Sequence, residues 1–309
     1  MQSFAIKEWK YIHSLIDRSE FSTALSFFTK ARLPNVYEAC IDDIFFVEAF
    51  VRLLIAQGHQ KRALPIIVKA MERLYNLGLH GEQIMAKYLI YQSQALSNIE
   101  DHSRVLPLYQ QAYDLLENKS ENQSDFGYIY LGLSQSDELV KDWEMYLENS
   151  LDCFRRDNNP IGEATTLNAY GIYYGNLQDT GLAMDYFQKA LELSKKHNDL
   201  RRYAGCLNNQ AVLVYFTGPK PDESLGVKLL NDAIEISQKI DSLEFLVHHH
   251  KAMVQFHHSK DDGLSAIPHL RTIFEIQEKR GLLSEKHRQK YQELILQKKP
   301  LLGSISTIS

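Results

Sequence analysis

Cysteine is scarce in this sequence: Cys40, Cys153 and Cys206 are the only 3 in 309 residues, far apart and without a CxxC spacing. An odd, dispersed set does not make a disulfide framework, so reduced thiols are expected. Positive charge is not in excess, since 34 Lys and Arg face 39 Asp and Glu, for a formal net charge of −5. Phosphate binding needs clustered Lys and Arg, so no nucleic-acid partner is expected. No stretch approaches the roughly 18 uninterrupted apolar residues of a membrane span. The first residues, Met1 to Lys10, lack the cationic segment and apolar run of a secretory leader. A cytoplasmic protein with no membrane partner is the expectation. Phosphate-cradling GxxxxGK[ST] and GxGxxG motifs are missing, as is a GxSxG elbow, and no cysteine has an evident activating His motif. Neither a catalytic residue nor a cofactor is expected.

What is present is ample core material, 44 % apolar, arranged with a repeat. The clearest unit runs from Ala164 to His197. Leu167, Tyr170, Gly171 and Tyr174 recur at helical spacing, then Gly175-Asn-Leu-Gln-Asp179 reads as a turn, then Ala183, Phe187 and Ala190 form a second helical stripe. Two amphipathic helices joined by a short turn make a helical hairpin. Gly171, Ala183 and Ala190 let the backbones approach, while Tyr174 and Phe187 fill the remaining space.

The second-helix signature recurs along the chain. Ala24–Phe28 precedes Ala31, Ala63–Ile67 precedes Ala70, and Val105–Tyr109 precedes Ala112. Trp143–Leu147 precedes Ser150, Gly226–Leu230 precedes Ala233, and Ala266–Leu270 precedes Ile273. The steps between the closing residues are 39, 42, 38, 40, 43 and 40. Pro65, Pro107 and Pro268 fall at one place in three units and are expected to mark the start of the second helix. First helices are expected near 7–16, 43–57, 86–97, 126–134, 164–175, 204–217 and 243–258. Pro160 marks entry to the fifth unit, and Thr217-Gly-Pro-Lys-Pro-Asp222 is a lengthened turn.

The fold expected is all-α: a right-handed α–α superhelical solenoid of about seven hairpins, forming a single domain over 1–299. Its units span 4–34, 43–73, 84–116, 125–154, 164–197, 204–239 and 244–280, with a capping helix at 282–297 and a flexible tail at 300–309.

This pattern resembles the tetratricopeptide repeat, most closely in the unit carrying Leu167, Tyr170, Gly171, Tyr174, Ala183, Phe187 and Ala190. The step near 40 is longer than that family's period of about 34. It is similar to the long units of bacterial Rap- and PlcR-type peptide receptors and MalT-like regulators. Leu207-Asn-Asn-Gln-Ala211 and Leu167-Asn-Ala-Tyr-Gly171 resemble the Asn-bearing first helices of those regulators. No helix-turn-helix module and no separate N-terminal bundle is found in the sequence. The resemblance implies a protein- or peptide-binding scaffold, an intracellular peptide-responsive regulator or adaptor.

In such a stack the first helices line the concave face. The register puts Glu48, Arg52, Gln94, Asn168, Gly175, Asn208, Tyr215 and His249 there, as candidates for peptide contact against the plainer reading of solvated or helix-bridging polar positions. An amide suits a peptide because it donates to C=O and accepts from N–H at once. His248-His-His250 with His257-His258 lacks i, i+4 pairs, so it reads as a partly exposed His-rich helix and no metal site is expected. Alternatives are a regulator acting through homodimerisation or its convex face, and an enzyme, for which no constellation speaks.

Overall fold

The computed structural model describes residues 6–30, 41–97, 104–117, 123–135 and 141–280, and a few positions between 283 and 289. The expected tail lies outside these residues, as does most of the expected capping helix. Among the described residues the chain is all-α, with fourteen α-helices, one π-helical segment and no strand. In order they are α1 (Ile6–Asp17), α2 (Phe21–Lys30), α3 (Ile41–Ala56), α4 (Gln60–Asn76), α5 (Gln83–Ser97), α6 (Val105–Leu116) and α7 (Gln123–Leu133). Then come α8 (Trp143–Arg156), α9 (Pro160–Asn176), α10 (Thr180–Lys196), α11 (Leu200–Gln210), the π-helical segment Ala211–Phe216, α12 (Glu223–Lys239), α13 (Leu243–Ser259) and α14 (Gly263–Lys279). Each expected first and second helix overlaps an observed one. None of the described helices is long and apolar enough to cross a membrane.

Two compact units divide the chain, Met1–Tyr170 with Glu192–Asp199, and Gly171–Leu191 with Leu200–Ser309. In the first unit α1 packs on α2 and α3, α3 on α4 and α5, α5 on α6 and α7, and α7 on α8. In the second, α11 packs on α12 and α13, and α13 on α12 and α14. The core follows the small-residue register. Ala24, Ala63, Ala70, Ala112, Ser150, Ala183, Ala190, Ala233 and Ala266 are all buried. Gly171 shows why small residues sit there: a Cβ on it would lie 2.5 Å from the Phe187 ring, closer than atoms pack.

The turns share one device. Residues Ser19, Gly58, Gly78, Asn158, Gln178, Asn198, Asp241 and Asp261 adopt positive φ just past a helix end. At the α9–α10 turn Gln178 N–H bonds Gly175 C=O at 3.0 Å, and Asp179 N–H bonds Tyr174 C=O at 2.9 Å, the paired bonds of a Schellman ending. After Gln178 and Asp261 the next residue caps the following helix: Asp179 and Asp262 accept from Leu182 and Ser265 N–H respectively, each at 3.1 Å, as Asp222 does from Leu225 N–H at 3.0 Å. Gln178 is exposed at φ +62, where only glycine sits without strain. Gln178→Gly is therefore expected to stabilise this hairpin by roughly 1 kcal/mol, read as slower amide exchange in α9 and α10.

The prolines require a correction. Pro107 is the third residue of α6, but Pro65 and Pro268 lie inside α4 and α14, which begin five residues earlier. Their expected role as start markers fails there because both face solvent, where water can satisfy the carbonyl that each leaves unbonded.

Candidate functional site

The candidate site is a row of polar side chains handed from one first helix to the next. In the first unit it runs through α1, α3, α5 and α7. Glu48 of α3 stands at its centre and is 1 % exposed. One carboxylate oxygen pairs with His13 Nε2 of α1 at 2.9 Å, and the other accepts a short hydrogen bond from the Tyr91 hydroxyl of α5. Arg52, one helical turn beyond Glu48, reaches back to α1, to His13 Nδ1 at 2.7 Å and to the Asp17 carboxylate. Gln83 of α5 donates to Asp125 of α7 at 2.7 Å.

The hydrogen-bond directions are fixed by chemistry. Arg52 can only donate, so His13 Nδ1 accepts, and His13 Nε2–H then donates to Glu48. Burial works to raise the Glu48 carboxyl, but His13, Lys87 and the Tyr91 hydroxyl outweigh it and hold the carboxyl down at about 2. Burial likewise opposes the charge on Arg52, and Asp17 outweighs it, so the guanidinium pKa is raised. Burial and the Glu48 charge keep the Tyr91 phenol protonated, well above its usual range. Asp125 is the exception: burial wins over Lys87 and Gln83, and its carboxyl is raised. A general acid or base works best with a pKa near the operating pH. Glu48, with both oxygens occupied and its charge locked, is suited to holding helices in register. The outer members still reach solvent, with side-chain exposures of 22 % for Arg52, 30 % for Asp17 and 15 % for His13.

The second unit carries a shorter version. His249 Nδ1 of α13 lies 3.0 Å from Asn208 Oδ1 of α11, and Asn208 Nδ2 donates to Asn209 Oδ1 at 3.3 Å. Asn208 and His249 are 2 % and 0 % exposed. Burial, with the neighbouring His248 and His250, pushes His249 down to about 3, so it is neutral. Arg201 of α11 faces Glu244 of α13 at 3.7 Å and lies over the Phe245 ring at 4.9 Å.

Of the eight residues expected on a concave face, Glu48 and Arg52 meet through His13, and Asn208 meets His249. Gly175 is buried, and a Cβ there would stand 2.8 Å from Leu213. Gln94, Asn168 and Tyr215 are half-buried on α5, α9 and the π-helical segment. Three of the eight candidates, Glu48, Asn208 and His249, are thus interior polar groups joining helices, because a side chain one turn from the packing stripe is covered by the neighbouring helices. The His-rich helix is also corrected: it is not merely a partly exposed face, since His249 and His250 are buried. Its partner is His269 of α14, in a different part of the sequence.

Sequence reasoning missed His13, Asp17, Gln83, Tyr91 and Asp125. Their signal is separation: the contacts span 35, 39, 35, 43 and 42 residues, each close to one repeat step, and Asn208–His249 spans 41. Among the described residues no three His, Cys, Asp or Glu are grouped so that they could hold a metal ion. Cys153 and Cys206 are buried free thiols raised by burial, which keeps them protonated. No protein-family model matches the chain, and no curated protein matches it.

Proposed function

We propose that this chain is a protein- or peptide-binding scaffold of the tetratricopeptide type, a superhelical solenoid without catalytic activity of its own, serving as an intracellular adaptor or peptide-responsive regulator. The observation that carries this reading is the polar row from α1 to α7. First helices repeat the same kind of contact at the repeat step, and the partly exposed Arg52, Asp17 and His13 present charge rooted in a buried carboxylate. Groups held this rigidly lose little entropy when a peptide docks on them. Asn168 is half-buried on α9 in the first unit, and Tyr215 is half-buried on the π-helical segment of the second.

The test compares wild type with Arg52→Ala/Asn168→Ala/Tyr215→Ala in native pull-downs, after circular dichroism shows that both are folded. Species held by wild type are expected to drop at least tenfold in the triple variant. Identical capture by both proteins would remove the first-helix face as the binding surface.

A further inference from the structure

The α13–α14 hairpin closes on a pair of imidazoles. His250 Nδ1 of α13 lies 2.8 Å from His269 Nδ1 of α14, with ring centroids 5.1 Å apart. His257, two turns further along α13, stacks on His269 at 5.7 Å and 17°. Asp262, in the turn, stands 3.5 Å from His257 Nδ1. His250 Nε2 is buried without a hydrogen-bond partner.

Two ring nitrogens at this distance share one hydrogen. A hydrogen on His250 Nε2 would be a buried donor with nothing to accept it, so the shared hydrogen sits on His250 Nδ1 and His269 Nδ1 accepts. A second proton has two places to go. On His250 Nε2 it is buried and unpaired. On His269 Nδ1 it sets N–H against N–H. The closed hairpin tolerates neither, whereas separated rings in water accept the proton freely.

We propose that the His250–His269 pair is an acid-sensitive latch: uptake of a second proton parts the rings and opens the α13–α14 hairpin while the first unit stays folded. The groups acting on the pair come from its own two helices and their turn. They are the two rings themselves and His257 on α13, which bears on His269, while Asp262 between the helices faces His257 and the neutral His249 beside the pair is joined to Asn208 of α11. No charge from α12 is among the influences on either ring in the described residues. Burial and then His269 hold His250 down at about 4, and burial and then His257 hold His269 below the usual imidazole range. Both imidazoles are thus depressed in the folded state. Their closed state has full stability above the ordinary value of 6.5 and loses it as pH falls from there towards 4. The Glu48 network, whose carboxyl is at about 2 when folded and 4.5 otherwise, is untouched between pH 6.5 and 4.5.

Hydrogen exchange of the full chain between pH 7.5 and 5, corrected for intrinsic rates, tests this. Below pH 6.5, α13–α14 amides are expected to lose protection by at least tenfold per pH unit, tenfold for each proton taken up, with α3–α5 amides unchanged. His269→Gln keeps an acceptor for His250 but cannot take the proton, and is expected to flatten that slope at least threefold. If His269→Gln fails to fold, imidazole NMR titration of wild type serves instead, and coupled values below 6.5 for both rings are expected. An equal slope in the variant, simultaneous loss across α3–α5, or two independent imidazoles titrating near 6.5 would overturn the proposal.

Discussion

Glu48→Ala is expected to lower the local stability of the α1–α3–α5 stack by about 3–5 kcal/mol. Two groups are stranded and a third loses a neighbouring charge. His13 Nε2–H and the Tyr91 hydroxyl lose their acceptor, and the Arg52 charge keeps Asp17 but loses a neighbouring carboxylate. Leaving one buried polar group unsatisfied costs about 1–3 kcal/mol, and an unbalanced buried charge costs more. Glu48→Gln shows why the row has a direction. Its amide oxygen can still accept from Tyr91, but its NH2 then meets His13 Nε2–H. Reversing the His13 tautomer would relieve that contact and set Nδ1–H against Arg52. A loss of about 1–3 kcal/mol is therefore expected for the amide as well. Repeat arrays often unfold in parts, so the readout is amide exchange in α3 and α5 rather than a single melting curve. Losses below about 1 kcal/mol for Glu48→Ala would mean that solvent reaches the row and compensates.

The same residue sets an acid limit. Its folded carboxyl is at about 2 against 4.5 for the unperturbed group, so its contribution is present above 4.5 and disappears as pH falls from 4.5 to 2. That difference corresponds to roughly 3 kcal/mol at neutral pH. In Glu48→Gln the exchange protection of α3 and α5 is expected to vary less over this interval than in wild type. A wild-type profile as flat as the variant's would contradict the ionised, buried state of Glu48.

The all-α class was legible because small and large apolar residues recur at helical spacing. Ala63, Ala112, Ala183 and Ala266 are all fully buried at the positions that the small-residue register gives them. The polar row was half legible. Glu48, Arg52, Asn208 and His249 were singled out for the right helices, but as groove residues, because a sequence gives the face of a helix and not what covers it. Their partners were missed for a physical reason. Long side chains reach one turn up or down the neighbouring helix, as His13 does to both Glu48 and Arg52, so the separations run from 35 to 43 residues and no fixed offset finds them. The π-helical segment Ala211–Phe216 was also invisible. It inserts its extra residue within an apolar run, closing with Thr217 N–H on Val212 C=O at 3.0 Å, and this lets Phe216 stack on Phe256 at 4.4 Å.

Phe154→Ala is expected to cost about 3–5 kcal/mol, and here the surroundings forbid easy repair. The ring is fully buried at the meeting of α7, α8 and α9. It packs edge-on against Tyr128 at 4.9 Å, and glycines flank it on two sides. A Cβ on Gly127 would lie 2.8 Å from the ring, and one on Gly162 would lie 2.1 Å away. The two glycines therefore exist for the ring, and their effects must depend on it. Gly162→Ala in the wild-type background is expected to cost about 1–3 kcal/mol through overpacking. In the Phe154→Ala background the same methyl enters vacated space, and alanine is the better helix former by about 0.5–1 kcal/mol. The sign of the Gly162→Ala effect should reverse between the two backgrounds, a coupling of about 2–3 kcal/mol measured at α8 and α9 amides. Additive effects within about 0.5 kcal/mol would mean that the helices adjust their spacing freely, and that the small-residue register does not fix how closely neighbouring hairpins approach.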